Sequence, residues 1–151
     1  MNRSRVALLR CDSYDEDAVF ETVKRGFALL GGLAALVRPE ERVLFKVNNL
    51  ASSKPDDAVT THPSVFRAVA KAFMDAGYTK LVYGDSPGFE KPAASLAKSG
   101  FAQVASALEI PLGDFETGRR VDFPEGRAWN SFDLAMAVLE TDALVTIPKM
   151  K

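Results

Sequence analysis

Six polar side chains in this sequence have types and spacings that could do chemistry together. Lys46 and Asn48 lie in Leu44-Phe45-Lys46-Val47-Asn48, Thr61 and His62 in Thr60-Thr61-His62-Pro63, and Asp85 and Ser86 in Gly84-Asp85-Ser86-Pro87-Gly88. Residues two apart in an extended segment share a face, so Lys46 and Asn48 can present a cation and an amide together. Near a helix start, that pair suits a carboxylate or a phosphate. Lys46 has a plainer alternative, in which its stem packs in the sheet and its amine reaches the edge. His62 is the single histidine, with an ordinary pKa near neutrality, which makes it a candidate catalytic acid or base, or a ligand. Its plainer role is to stand beside the cap of a helix whose first turn carries Pro63. Asp85 and Ser86 either offer a carboxylate and a hydroxyl to a ligand or form a turn bonded to its own backbone. Near the end of the chain, Thr146, Lys149 and Lys151 add a hydroxyl and two cations.

Other chemistries find less to work with. The one cysteine, Cys11, cannot form an internal disulfide or hold a metal or cluster alone, and it reads as a small buried residue at a strand end. No metal site is expected. G-x-G-x-x-G, G-x-x-x-x-G-K-[ST] and G-x-S-x-G are all absent from the sequence, which disfavours the common nucleotide-binding loops and the hydrolase elbow. Trp129 and the phenylalanines read most simply as core.

These candidates are placed by the elements around them. Val6 to Arg10 reads as a first strand ending at Cys11-Asp12, followed by Ser13-x-x-Glu16 as a capping box. Val19, Val23, Phe27, Leu30, Ala34 and Val37 recur at helical spacing, with Gly31-Gly32 as the expected break. Arg42 to Val47 is a second strand, and the polar stretch from Asn48 to Thr61 is long for a strand-to-helix connection. A helix from Pro63 to Gly77 buries Phe66, Val69, Phe73 and Met74. Lys80 to Gly84 is a third strand, and helical material follows from Pro92 to Leu108 with a pause at Gly100. Ile110 to Leu112, Arg119 to Phe123, Phe132 to Val138 and Ala143 to Ile147 read as further strands. Alternating strands and helices predict an α/β fold in three layers, a mostly parallel sheet with helices on both faces, with some antiparallel strands in the C-terminal third. Ligands on such sheets bind beyond the carboxyl ends of the strands, where the candidates above fall together with Cys11, Asp12 and Asn49.

The chain has 151 residues, 47% hydrophobic and 26% charged, with a net charge of −1. That composition predicts one folded domain over 1–151 and gives no electrostatic reason for a nucleic acid or anionic membrane partner. The basic start is followed by an apolar run too short for a secretory leader, and no stretch approaches a membrane span, so a cytoplasmic location is expected. The last apolar strand has no covering helix after it, which predicts a fragment of a longer protein.

Taken in order, Val6-Ala7-Leu8-Leu9-Arg10-Cys11-Asp12-Ser13-Tyr14-Asp15, Leu44 to Asn48, Thr60 to Pro63, Gly84 to Gly88 and Ile147-Pro148-Lys149-Met150-Lys151 resemble the DUF362 family over essentially the whole chain. The family is a group of bacterial and archaeal proteins of undefined activity. The resemblance implies a ferredoxin-like segment with cysteine-ligated [4Fe–4S] clusters, which this sequence cannot hold and which would belong to a missing C-terminal region. The family's K-P-N is Lys46-Val47-Asn48 here, which keeps both polar groups and relaxes the loop. Its P-K-x-K-T-H runs only to Lys151, and if the family's site needs that histidine this portion is expected to be inactive. More loosely, the arrangement is similar to the amino-terminal part of nickel-pincer lactate racemases. The leading expectation is the ligand-binding α/β portion of an iron–sulfur-associated redox protein, with Lys46, Asn48, Thr61, His62, Asp85, Ser86 and Lys149 around a small anionic ligand. The alternatives are a docking module for a partner domain or a second copy of the chain, and a racemase or isomerase with His62 as base.

Overall fold

A computed structural model describes residues 4–149. In chain order its elements are α1 (Glu16–Leu29), β1 (Val43–Val47), α2 (Pro63–Asp75), β2 (Leu81–Gly84), α3 (Pro92–Lys98), α4 (Phe101–Ala107), β3 (Gly118–Asp122), β4 (Ser131–Ala135), α5 (Met136–Leu139) and β5 (Ala143–Ile147), with short 3₁₀ turns at Leu33–Ala35 and Pro55–Asp57. The fold is α/β. β2, β1 and β5 form a parallel sheet in that order, and β3 and β4 form a separate antiparallel pair in the C-terminal third.

β1 is central, and its sequence shows why. A strand covered on both faces reads as a continuous apolar run rather than an alternating one. Val43, Leu44, Phe45 and Val47 are all 0% exposed, and Lys46 alone interrupts them. On one face, Phe45, Val47, Tyr83 and Ile147 pack with Phe66, Val69 and Phe73 of α2 and with Leu96 and Phe101 of α3 and α4. Phe20, Val23 and Phe27 of α1 join this core from outside α2. On the other face, Leu44 and Val82 lie under Ala137 of α5, with Phe115 and Val138 packed alongside. The three expected layers are present, although the helix on the second face has only four residues.

Several local expectations do not hold. Val6 to Arg10 forms no strand; Val6 and Leu8 are 86% and 87% exposed, and an extended segment without a neighbour to complete its backbone hydrogen bonds is not a sheet strand. The capping box at Ser13 gives way to Asp15, whose carboxylate accepts the Ala18 amide at 3.0 Å, while Ser13 Oγ accepts from Asp15 N. α1 ends at Leu29 because Gly31 and Gly32 take φ of +103° and +88°, leaving Ala34 and Val37 outside it. Ile110 to Leu112 contributes one bridge, Leu112 to Tyr83, since Pro111 has no amide for a ladder. The strand expected at Phe132 to Val138 divides into β4 and α5, where the turn of helix drives Ala137 under the sheet. Met74 is 40% exposed rather than part of the buried stripe of α2. Cys11 is exposed, and so are Trp129 (73%), Phe123, Phe132 and Phe89.

Phe66 joins the layers of the main core, fully buried against Phe45, Tyr83 and Phe101 with ring centroids 5.5–6.1 Å apart. Phe66→Ala is expected to lower unfolding free energy by about 3–5 kcal/mol, measured by urea denaturation. A loss below about 1 kcal/mol, typical of surface positions, would show that this contact is not the centre of the core.

Candidate functional site

The carboxyl ends of β1 and β2 are tied together by one carboxylate. Gly84 lets β2 end under the Phe115 ring, because a Cβ there would collide with that ring. The next residue, Asp85, is buried. Its Oδ2 accepts the Asn49 amide at 2.8 Å, and its Oδ1 accepts the Ser86 amide at 2.9 Å and pairs with Lys46 Nζ at 2.7 Å. Asp85 therefore spends its acceptor capacity inside the protein, while the Lys46 side chain stays 42% exposed. Lys46 both packs along the sheet and brings its charge to the rim.

Beyond β1 the chain turns sharply, with Asn49 N donating to Val47 O at 2.9 Å. Asn48 sits half-exposed at the apex of this turn, whereas Asn49 is 2% exposed. The Asn49 side chain donates to Ser95 Oγ and accepts from Ser99 Oγ, both at 2.9 Å. The single Ser99 hydroxyl proton is shared with Ala51 O, 3.3 Å away, and Ser52 donates to Glu90. These bonds hold the long loop after β1 against α3 and the loop after β2. Reading K-x-N as a one-face pair selected Asn48; the buried organising amide is its neighbour. Ser86 lies exposed at the same strand end.

A second group gathers at the carboxyl end of β5. Thr61, 4% exposed, donates its hydroxyl to Ile147 O at 2.7 Å and so fixes the start of α2 to that strand end. His62 is the N-cap: its Nδ1 accepts the Ser64 amide at 3.2 Å and lies 2.8 Å from Ser64 Oγ. With Nδ1 accepting, the neutral ring carries its proton on Nε2. The Tyr14 ring stacks on the imidazole, with centroids 4.0 Å apart and planes at 12°. Lys149 Nζ donates to the Tyr14 hydroxyl at 3.4 Å and lies 5.9 Å from the ring centre. Burial lowers the His62 pKa from 6.5; Asp56 opposes this and Lys149 adds to it. Thr60 is 1% exposed, and its hydroxyl has no hydrogen-bond partner among the described residues.

The structure thus brings the expected residues to one rim as two groups: Lys46, Asp85 and Ser86, and Thr61, His62 and Lys149. The sequence reading missed Tyr14, Ser95 and Ser99 as contributors, and it named Asn49 only as a strand-end position beside Asn48. An aromatic side chain just before a helix cap was the one available hint for Tyr14. Lys151 lies outside the described residues. Among the described residues no cluster of three or more His, Cys, Asp or Glu side chains could hold a metal ion, and no helix is long and apolar enough to cross a membrane.

Residues 43–151 match the sequence profile described as a domain of unknown function, DUF362. A curated thylakoid-associated protein of Synechocystis is 32% identical over 146 residues, 97% of this chain and 44% of the relative. The chain thus spans less than half the length of that relative. No solved structure matches.

The cap on α2 makes stability depend on pH. Since the folded state lowers the His62 pKa below 6.5, the neutral ring's contribution is complete above that value and is lost as pH falls through the folded pKa. Between about pH 7.5 and about pH 5, spanning the ordinary histidine range, the wild-type melting temperature should fall further than that of His62→Asn. Asparagine keeps a cap acceptor and does not titrate. Parallel curves for the two proteins would remove His62 from the pH response.

Proposed function

The chain belongs to the DUF362 family, and we propose that it is the portion of a longer protein that binds a small anionic ligand, a carboxylate or phosphate, at the carboxyl rim of β2, β1 and β5. The observation that carries this reading is the Lys46–Asp85 pair. Two backbone amides and the Lys46 ammonium converge on Asp85, and the lysine side chain so held remains 42% exposed. A cation positioned in advance loses less conformational freedom when it meets an anion. Asn48 and Ser86, exposed or half-exposed at neighbouring strand ends, add polar groups, and Thr61, His62 and Lys149 extend the rim toward β5. On this reading Asp85 positions Lys46 and does not itself touch the ligand.

The proposal includes a redox setting in which an iron–sulfur region accompanies this portion elsewhere in the longer protein. A [4Fe–4S] cluster takes four thiolate ligands, and Cys11 is the only cysteine here. These residues do not fit the cluster. An exposed free thiol at Cys11 suits a reducing, cytoplasmic compartment. The alternative use of His62 as the base of a racemase is less favoured, because the Ser64 amide occupies Nδ1 and leaves Nε2 protonated. A docking role has an observation of its own. Phe123, Trp129 and Phe132 on and around the β3–β4 hairpin and Leu144 on edge strand β5 are 46–73% exposed, and such apolar surface suits a partner domain or a second copy.

Titration calorimetry with inorganic phosphate and small carboxylates tests the main reading. Binding is expected in the wild type and at least about ten-fold weaker binding in Lys46→Ala, the scale of one lost charge-assisted hydrogen bond. No heat with any anion, or equal affinity in both proteins, would overturn it, and a concentration-dependent dimer in light scattering would then favour docking.

A further inference from the structure

Tyr14 has no place in the anion-binding reading so far, yet it joins three distant parts of the chain. It precedes α1, its ring lies flat on His62 at the start of α2, and its hydroxyl receives a hydrogen bond from Lys149 just past β5. The directions of these bonds matter more than their number. Lys149 donates to the phenol oxygen, so the phenol hydrogen remains to be given elsewhere. Ser64 N donates to His62 Nδ1, so the remaining ring nitrogen, Nε2, is also a donor. Lys149 forms no ion pair with a carboxylate among the described residues. Two donors without a partner among the described residues, beside an ammonium that forms no ion pair among them, suit an oxyanion and repel a cation. The stack holds the two rings parallel and fixes their donors relative to one another. Asp56, exposed in the 3₁₀ turn before α2, is the carboxylate in electrostatic range of His62 and limits how positive the cluster becomes.

We propose that Tyr14, His62 and Lys149 form an oxyanion-binding triad, in which the phenol O–H, the imidazole Nε2–H and the ammonium hold one phosphoryl or carboxylate group of the ligand at the β5 end of the rim. This rests on the anion-binding reading and deepens it. Lys46 supplies charge at the β1–β2 end, and the triad grips the anionic group itself. Tyr14 thereby becomes a binding residue, and the segment before α1, which forms no strand, contributes to the site.

The single histidine gives an unambiguous reporter. The full chain, labelled with ¹⁵N, is titrated with inorganic phosphate and separately with acetate while the His62 ring resonances and the calorimetric affinity are followed. At least one anion should move the Nε2 signal saturably, and the one that binds more tightly distinguishes a phosphoryl from a carboxylate ligand. Tyr14→Phe keeps the stacked ring and removes the O–H, and Lys149→Met keeps the stem and removes the charge. Each should weaken binding about ten-fold, with the His62 resonances of the free protein, read well above the ordinary histidine range so that the ring is neutral in every variant, near their wild-type positions. Wild-type affinity in Tyr14→Phe, or phosphate binding that depends on Lys46 and leaves the His62 signals unmoved, would overturn the triad and leave the Lys46 reading standing. Absence of binding in the wild type would overturn both.

Discussion

The arrangement of the rim depends on a carboxylate that is not free. Asp85 accepts two backbone amides and the Lys46 ammonium, and those three bonds fix where β1 ends, how the following loop departs and where the lysine charge is presented. A buried carboxylate is costly unless its oxygens are satisfied. Here the partners that satisfy it are the groups that shape the strand ends. Gly84 permits the arrangement from below, since only a residue without a side chain lets Phe115 cover the end of β2. Electrostatics at the rim and packing beneath it are one problem with one local solution.

The β5 side is organised by a different bond serving the same end. Thr61 reaches the last carbonyl of β5, so the first turn of α2 is fastened to the sheet rather than only packed on it. His62 takes its orientation from that fastening and from Ser64. Because β1 is hydrogen-bonded to both β2 and β5, the two polar groups are fixed relative to each other through three parallel strands.

Much of the fold was legible because its signals are local. An apolar run broken only by Lys46 marks β1, a histidine before a proline marks the start of α2, and G-D-S-P-G marks the turn after β2. The failures share one cause, which is dependence on distant partners. Val6 to Arg10 has the pattern of a strand, but a strand exists only if another strand accepts its hydrogen bonds, and local sequence does not encode that acceptor. Asn48 and Asn49 are indistinguishable in type; burial against Ser95 and Ser99, some fifty positions away, decides between them. Tyr14 meets His62 and Lys149 across intervals no periodicity could reveal. Trp129 and Phe132 were assigned to the core by hydrophobicity alone, which reports preference for burial and not whether a surface is available to bury it.

The β3–β4 hairpin stands apart from this economy. Most of its side chains are exposed; Met136 N to Thr117 O closes its base, and Ala137 just beyond lies under the sheet. Mutational drift in such an appendage is buffered from the stability of the body that carries it. Its aromatic tip can diversify between relatives while β1 and the carboxylate beside it stay under tight packing constraint, so that novelty in this architecture has a place to accumulate at little cost to folding.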